Sequence, residues 1–125
     1  MITPLYAALA GLLLAILTFR VIGLRLGKKI MFGDGGEPAL LRATRAHGNF
    51  IEYVPLALLL ILLVELTGGA SGTVHGLGIG LIVARILHAG GVLLVDGPST
   101  GRAAGIVLTI LVIVGAAARL LLNYV

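Results

Sequence analysis

Residues 38–66 read PALLRATRAHGNFIEYVPLALLLILLVEL, and the two halves of this stretch differ in character. Val54 to Leu66 is almost wholly apolar until Glu65, whereas Leu40 to Tyr53 carries Arg42, Arg45, Asn49 and Glu52 at spacings of three, four and three. At 100° per residue those four side chains fall within a sector of roughly 100°, so the segment predicts one helix with a polar stripe on its first half. Pro38 suits the first turn of such a helix, with Glu37 beside it. A helix that is amphipathic at one end and lipid-soluble at the other straddles a membrane interface.

Outward from this helix, the chain repeats the pattern of long apolar block and short polar break. Before it, Phe32-Gly33-Asp34-Gly35-Gly36-Glu37-Pro38 packs turn formers too densely for a helix. The glycines there lack the strand and the Lys-Ser/Thr ending of a phosphate loop. Preceding that loop, Pro4 to Ile22 has the length a hydrocarbon core requires. On the other side, Thr67 to Gly72 forms an uncharged turn, Val74 to Val95 a third span, Asp96 to Gly101 a second turn and Ala103 to Leu122 a fourth span. With 59% hydrophobic and 11% charged residues and a mean hydropathy of +1.17, the chain has more apolar surface than a soluble core can hide. The expected fold is an all-α membrane protein, a four-transmembrane-helix bundle, with residues 1–125 forming one domain.

Six of the nine basic residues (Arg20, Arg25, Lys28, Lys29, Arg42 and Arg45) lie in or beside the first connection. By the positive-inside rule this loop is cytoplasmic and both termini are outside. No Lys or Arg precedes the first apolar run, which argues against a removable signal peptide. The basic cluster lacks interleaved aromatics and sits between two spans, so nucleic-acid binding is disfavoured. With no cysteine there is no disulfide framework or protein thiol nucleophile, and no metal-ligand spacing accompanies the histidines. Small residues recur at four-residue spacing in Ala7-Gly11-Ala15 and Gly76-Gly80-Ala84, the pattern that lets helices approach closely in lipid.

The chemistry concentrates on the second and third helices. Arg85 and His88 lie three apart near the inner end of the third span, at a depth similar to that of the second-helix stripe. Charges inside a span are costly and face a partner or a wet cavity. One reading pairs Glu52 with Arg45 or Arg85 simply to neutralise it. The other notes that Arg25, Arg42, Arg45, Arg85 and Arg102 surround one carboxylate, a surplus that suits an anionic ligand because the guanidinium fork holds carboxylates bidentately. Glu52 and Asn49 would then hold an ammonium or amide of the same small zwitterion. Glu65 and His75, near the outer turn, read as interfacial polar residues.

Residues 42–55, RATRAHGNFIEYVP, resemble the signature of the MAPEG family, the membrane-associated proteins in eicosanoid and glutathione metabolism. The Arg-x-x-x-Asn-x-x-Glu-Tyr-x-Pro core, the length and the four-helix layout all match. The resemblance implies a homotrimer binding glutathione between subunits, open to the cytoplasm, with lipophilic electrophiles arriving from the bilayer. It implies glutathione-binding roles for Arg25, Arg45, Asn49, Glu52, Tyr53, Arg85 and His88. Arg102 falls near the arginine that opens the family's fourth helix beside the thiol. Val92 stands where many members have tyrosine, and Ala103 where the prostaglandin-forming members have serine, so the eicosanoid-specific activities are not supported. The terse loops and glycine content look bacterial, implying an inner-membrane location and a role in detoxification.

The leading expectation is a glutathione transferase or peroxidase-like enzyme whose co-substrate thiolate attacks membrane-dissolved electrophiles. A thiol of ordinary pKa about 8.5 is mostly protonated at neutral pH, and a nearby cation such as Arg102 favours the thiolate. Two alternatives remain: a small proton-coupled efflux transporter using Glu52, for which five arginines are poor company for a cation, and a family member that binds glutathione or lipid without catalysis.

Overall fold

The computed structural model describes residues 1–125 as four helices: α1 (Thr3–Lys28), α2 (Pro38–Leu66), α3 (Ser71–Leu93) and α4 (Thr100–Leu121). At 1.5 Å per residue they run from about 33 to about 44 Å, long enough to cross a hydrocarbon core of about 30 Å. All four are also apolar enough to do so. Only 25 of 125 residues are buried within the chain, while thirty large hydrophobic side chains are exposed. That surface belongs in lipid rather than water.

The helices alternate in direction. α2 and α3 form the central pair, with α1 packed on one flank and α4 on the other, and α1 and α4 do not touch. The core runs along α2 through Ala46, Phe50, Val54, Ala57, Ile61 and Val64, meeting Ala10 and Leu17 of α1, Val74 and Leu81 of α3, and Val112 and Ala116 of α4. The close spacing depends on particular glycines. A Cβ on Gly105 would lie 2.6 Å from the Ala84 carbonyl oxygen and from His88 Cβ, and one on Gly91 would overlap the Arg102 backbone nitrogen. The small-residue positions expected to make helix contacts divide differently. Gly11 and Gly76 have no atom within 4 Å of a Cβ position, whereas Ala84 is buried.

The turns also tie helices together. Pro38 opens α2 as expected, and α1 continues past Ile22 to Lys28. Its end is closed by Arg25, whose guanidinium donates to the carbonyls of Ile30, Met31 and Gly33. Gly33, Gly35 and Gly36 take the left-handed backbone of that loop. At the other end Glu65 accepts from the backbone N–H groups of Ile2 and Thr3. Those donors have no partner within α1, so Glu65 caps a neighbouring helix and places a negative charge at its positive end.

Candidate functional site

At 100° per residue the Arg42–Glu52 stripe lies beside the buried row of α2. Ala43, Ala46, Phe50 and Val54 point inward, and Asn49 is drawn in with them. Arg45 and Glu52 are exposed, with Tyr53 half-buried. The four residues therefore divide between an interior cluster and an outward face.

The interior cluster joins three helices. One terminal nitrogen of Arg85 donates to Asn49 Oδ1 at 2.7 Å and lies 3.2 Å from His88 Nδ1, and the other donates to Thr109 Oγ1 at 3.4 Å. The Thr109 hydroxyl in turn donates a hydrogen bond to the Gly105 carbonyl. The guanidinium carbon stands 5.7 Å from the centre of the Phe50 ring, a cation–π distance. Arg85 and His88 are each 2% exposed. Arg85 thus serves as the scaffold that orients Asn49.

The exposed cations gather at the end of the bundle where α2 begins and α3 meets α4. Leu41, Arg42, Arg45, Val92, Val95, Gly97 and Arg102 line a cleft of about 160 Å³. Arg42 is paired with Asp96 of the α3–α4 turn, while Arg45 and Arg102 have no carboxylate within 4.0 Å. Arg102 is positioned from its backbone, because Ser99 Oγ accepts its N–H at 3.1 Å and donates to the Gly91 carbonyl at 2.9 Å. That serine is the N-cap of α4. Arg102 also lines a second, larger hollow on the outer side of α4, with Pro98, Ala103, Ile106 and Val107. It stands where a cationic cleft meets an apolar one.

The expected site residues thus fall into four groups within one chain. Asn49, Arg85 and His88 are joined, Arg45 and Arg102 share a cleft, Glu52 and Tyr53 lie on the outward part of α2, and Arg25 is occupied with loop carbonyls. Glu52 pairs with neither Arg45 nor Arg85. Thr109 was not anticipated, and its spacing four residues after Gly105 carries no signal of a contact with α3. Glu65 and His75 are structural: the first caps α1, and the second has Nδ1 2.7 Å from the Tyr6 hydroxyl.

The MAPEG family model matches residues 3–122, almost the whole chain. The chain is also 42% identical over 88 residues to the Escherichia coli K12 protein named inner membrane protein YecN, an alignment covering 70% of this chain and 67% of that one. The counterpart from Escherichia coli O6:H1 matches to the same extent. Four long apolar helices, the Arg45-Asn49-Glu52-Tyr53-Pro55 core on α2 and a family match spanning residues 3–122 lead to one conclusion: this chain is a membrane protein of the MAPEG family.

Proposed function

We propose that this protein is an inner-membrane glutathione transferase or peroxidase-like enzyme, acting as a homotrimer on lipophilic electrophiles, with its basic end in the cytoplasm. The observation that carries this reading is the position of Arg102, shared by a cleft lined by three arginines and an apolar hollow along α4. A water-soluble anionic thiol and a membrane-dissolved acceptor can meet at such a junction. Family membership supports the thiol as glutathione, and the relative's name supports the inner membrane.

The residues fit that ligand in kind. Arg45 and Arg102 offer forks for its carboxylates, Glu52 a charge for its ammonium, and Asn49, held by Arg85, an amide for its backbone. Tyr53 of α2 and Arg25 of the last turn of α1 would complete the site. The cleft of about 160 Å³ is smaller than the roughly 300–1,000 Å³ of most small-molecule sites. A neighbouring subunit would supply the missing wall, and Glu52 faces outward where such a neighbour would sit. Bound glutathione would supply the nucleophilic sulfur. Arg102 would stabilise its thiolate, each unit of pKa depression being worth about 1.4 kcal/mol. Cation transport through Glu52 is disfavoured, since every charge lining the adjoining cleft is positive.

Calorimetry of the detergent-solubilised protein with glutathione tests the first step. Saturable heat is expected together with conjugation of a model electrophile. Absence of both heat and thermal stabilisation at millimolar glutathione would refute the glutathione reading, and binding without turnover would leave a non-catalytic binder.

A further inference from the structure

Asp96 stands between two residues that line the arginine cleft, Val95 and Gly97, and its carboxylate is paired with Arg42 in the cleft wall. No other acid of the chain lines that cleft or pairs with its arginines. Glu37 pairs with Lys28 and Glu65 with the start of α1. Asp34 accepts from the Gly36 N–H within its own loop, and Glu52 is exposed on the outward part of α2. The cleft therefore holds three guanidiniums and one internal carboxylate, which neutralises Arg42 and leaves Arg45 and Arg102 without a counter-charge.

The pair is lopsided. The Arg42 side chain is 31% exposed and the Asp96 side chain 87%, so the carboxylate keeps most of its water and loses little on leaving. An ion pair this open to solvent is weak. The backbone gives Asp96 the same freedom. Residues 95–98 make no backbone hydrogen bond, and Gly97 turns the chain with a φ of +89°. The ends of the turn are nonetheless held, because Leu94 donates to the Gly90 carbonyl and Ser99 bridges Gly91 to the Arg102 N–H. Asp96 can swing away while Arg102 stays in place. A pair whose purpose was to brace the cleft would have a buried acid on a hydrogen-bonded turn.

We propose that Asp96 is a tethered competitor for the arginine cleft: it neutralises Arg42 at rest and is displaced by a carboxylate of the incoming ligand, which gains Arg42 as a third fork beside Arg45 and Arg102. This latch rests on the transferase reading's assignment of the cleft as an anion site, and it adds how that site is kept closed. It also selects among anions. A single carboxylate can sit on Arg45 or Arg102 without disturbing Asp96. A dicarboxylate held there by one group brings the other to Arg42 at high effective concentration, as a linked second contact does, and so competes with Asp96 where a free monoanion does not.

The test is calorimetric titration of the full-length protein in neutral maltoside micelles, with glutathione and, separately, with glutarate, a dicarboxylate that lacks the thiol and the ammonium. The natural sequence is compared with Asp96→Asn, a change at an exposed position that does not threaten folding. Asp96→Asn should bind both ligands about two- to fivefold more tightly, the factor by which a weak exposed pair holds back a competing ligand. In an Arg42→Gln background the same change should give no gain, because the latch has lost its other half. Weaker binding by Asp96→Asn would make the pair a brace and overturn the latch. A gain of equal size in the Arg42→Gln background would reduce Asp96 to a general repulsive charge and overturn it as well. Glutarate tightened by Asp96→Asn while glutathione binds neither protein would sustain the latch and remove glutathione from the site. Equal affinity of both proteins for glutathione and glutarate would keep the site and remove the latch, and failure of both ligands to bind either protein would remove both.

Discussion

Single residues separate the roles that the second-helix stripe runs together. Asn49 is buried and accepts from Arg85, while Glu52, one turn later, is exposed. Replacing Asn49 by Leu keeps the volume but leaves the Arg85 guanidinium without its shortest hydrogen bond. A loss of roughly 1–3 kcal/mol is expected, the cost of an unsatisfied buried partner, read as a lower unfolding midpoint in detergent; an unchanged midpoint would mean that Arg85 is satisfied by other means. Glu52→Gln should barely alter stability yet weaken glutathione binding by about 1.5–3 kcal/mol, the range for hydrogen bonds to charged groups. Arg102→Ala should leave much of that binding and remove thiolate absorbance and conjugation. Retained thiolate in Arg102→Ala would move thiol activation to another cation, and normal binding by Glu52→Gln would remove the proposed ammonium contact. The residue types and their periodicity were legible in the sequence. Which flank of the stripe turned inward was not, because that depends on Thr109 of α4 and Phe50 sandwiching Arg85, contacts that have no local signature.

At the scale of helices the sequence was read most fully, because length and hydropathy alone define spans. Pro38 marked the start of α2 correctly, whereas α3 begins at Ser71 rather than Val74 and α4 at Thr100 rather than Ala103. Those starts are set by polar first turns, including the Ser99 cap, that hydropathy does not register. Small-residue spacing was a poorer guide. Of the three positions Gly76, Gly80 and Ala84, the first faces open space, the second lies close against Val112 and the third is buried, while the tightest approaches, at Gly78, Gly91 and Gly105, fall off that spacing. Gly105 allows α4 to lie against Ala84 and His88, so Gly105→Val should force the helices apart and cost about 1–3 kcal/mol, as overpacking does. Gly23→Val, where nothing lies within 4 Å, is the matched control. Equal melting temperatures for the two variants would show that α3 and α4 have room to separate.

The whole molecule has an electrical polarity that its helices impose. Arg25, Lys28, Lys29, Arg42, Arg45 and Arg102 gather at one end, and Arg119 near the end of α4 lies at the other. A reporter after Val125 should therefore be external and one inserted between Gly33 and Glu37 cytoplasmic, and the reverse pattern would invert the proposed access to glutathione. Assembly follows from a different asymmetry. The arginine cleft is too small for a tripeptide, Glu52 faces away from it, and the Ala7-Gly11 face of α1 packs against nothing in its own chain. A Cβ at Gly11 would have no neighbour within 4 Å in its own subunit, so Gly11→Leu should leave the isolated fold intact. It should nevertheless obstruct a neighbour that packs closely on that face. Native mass spectrometry in mild detergent is expected to find trimers of the natural sequence and a shift towards monomers in Gly11→Leu, with glutathione binding falling in parallel. Monomers alone for the natural sequence would exclude a site shared between subunits. A variant that stays trimeric with unchanged binding would move the interface off this face of α1, and a variant that stays trimeric yet loses binding would put Gly11 at the ligand rather than at the contact.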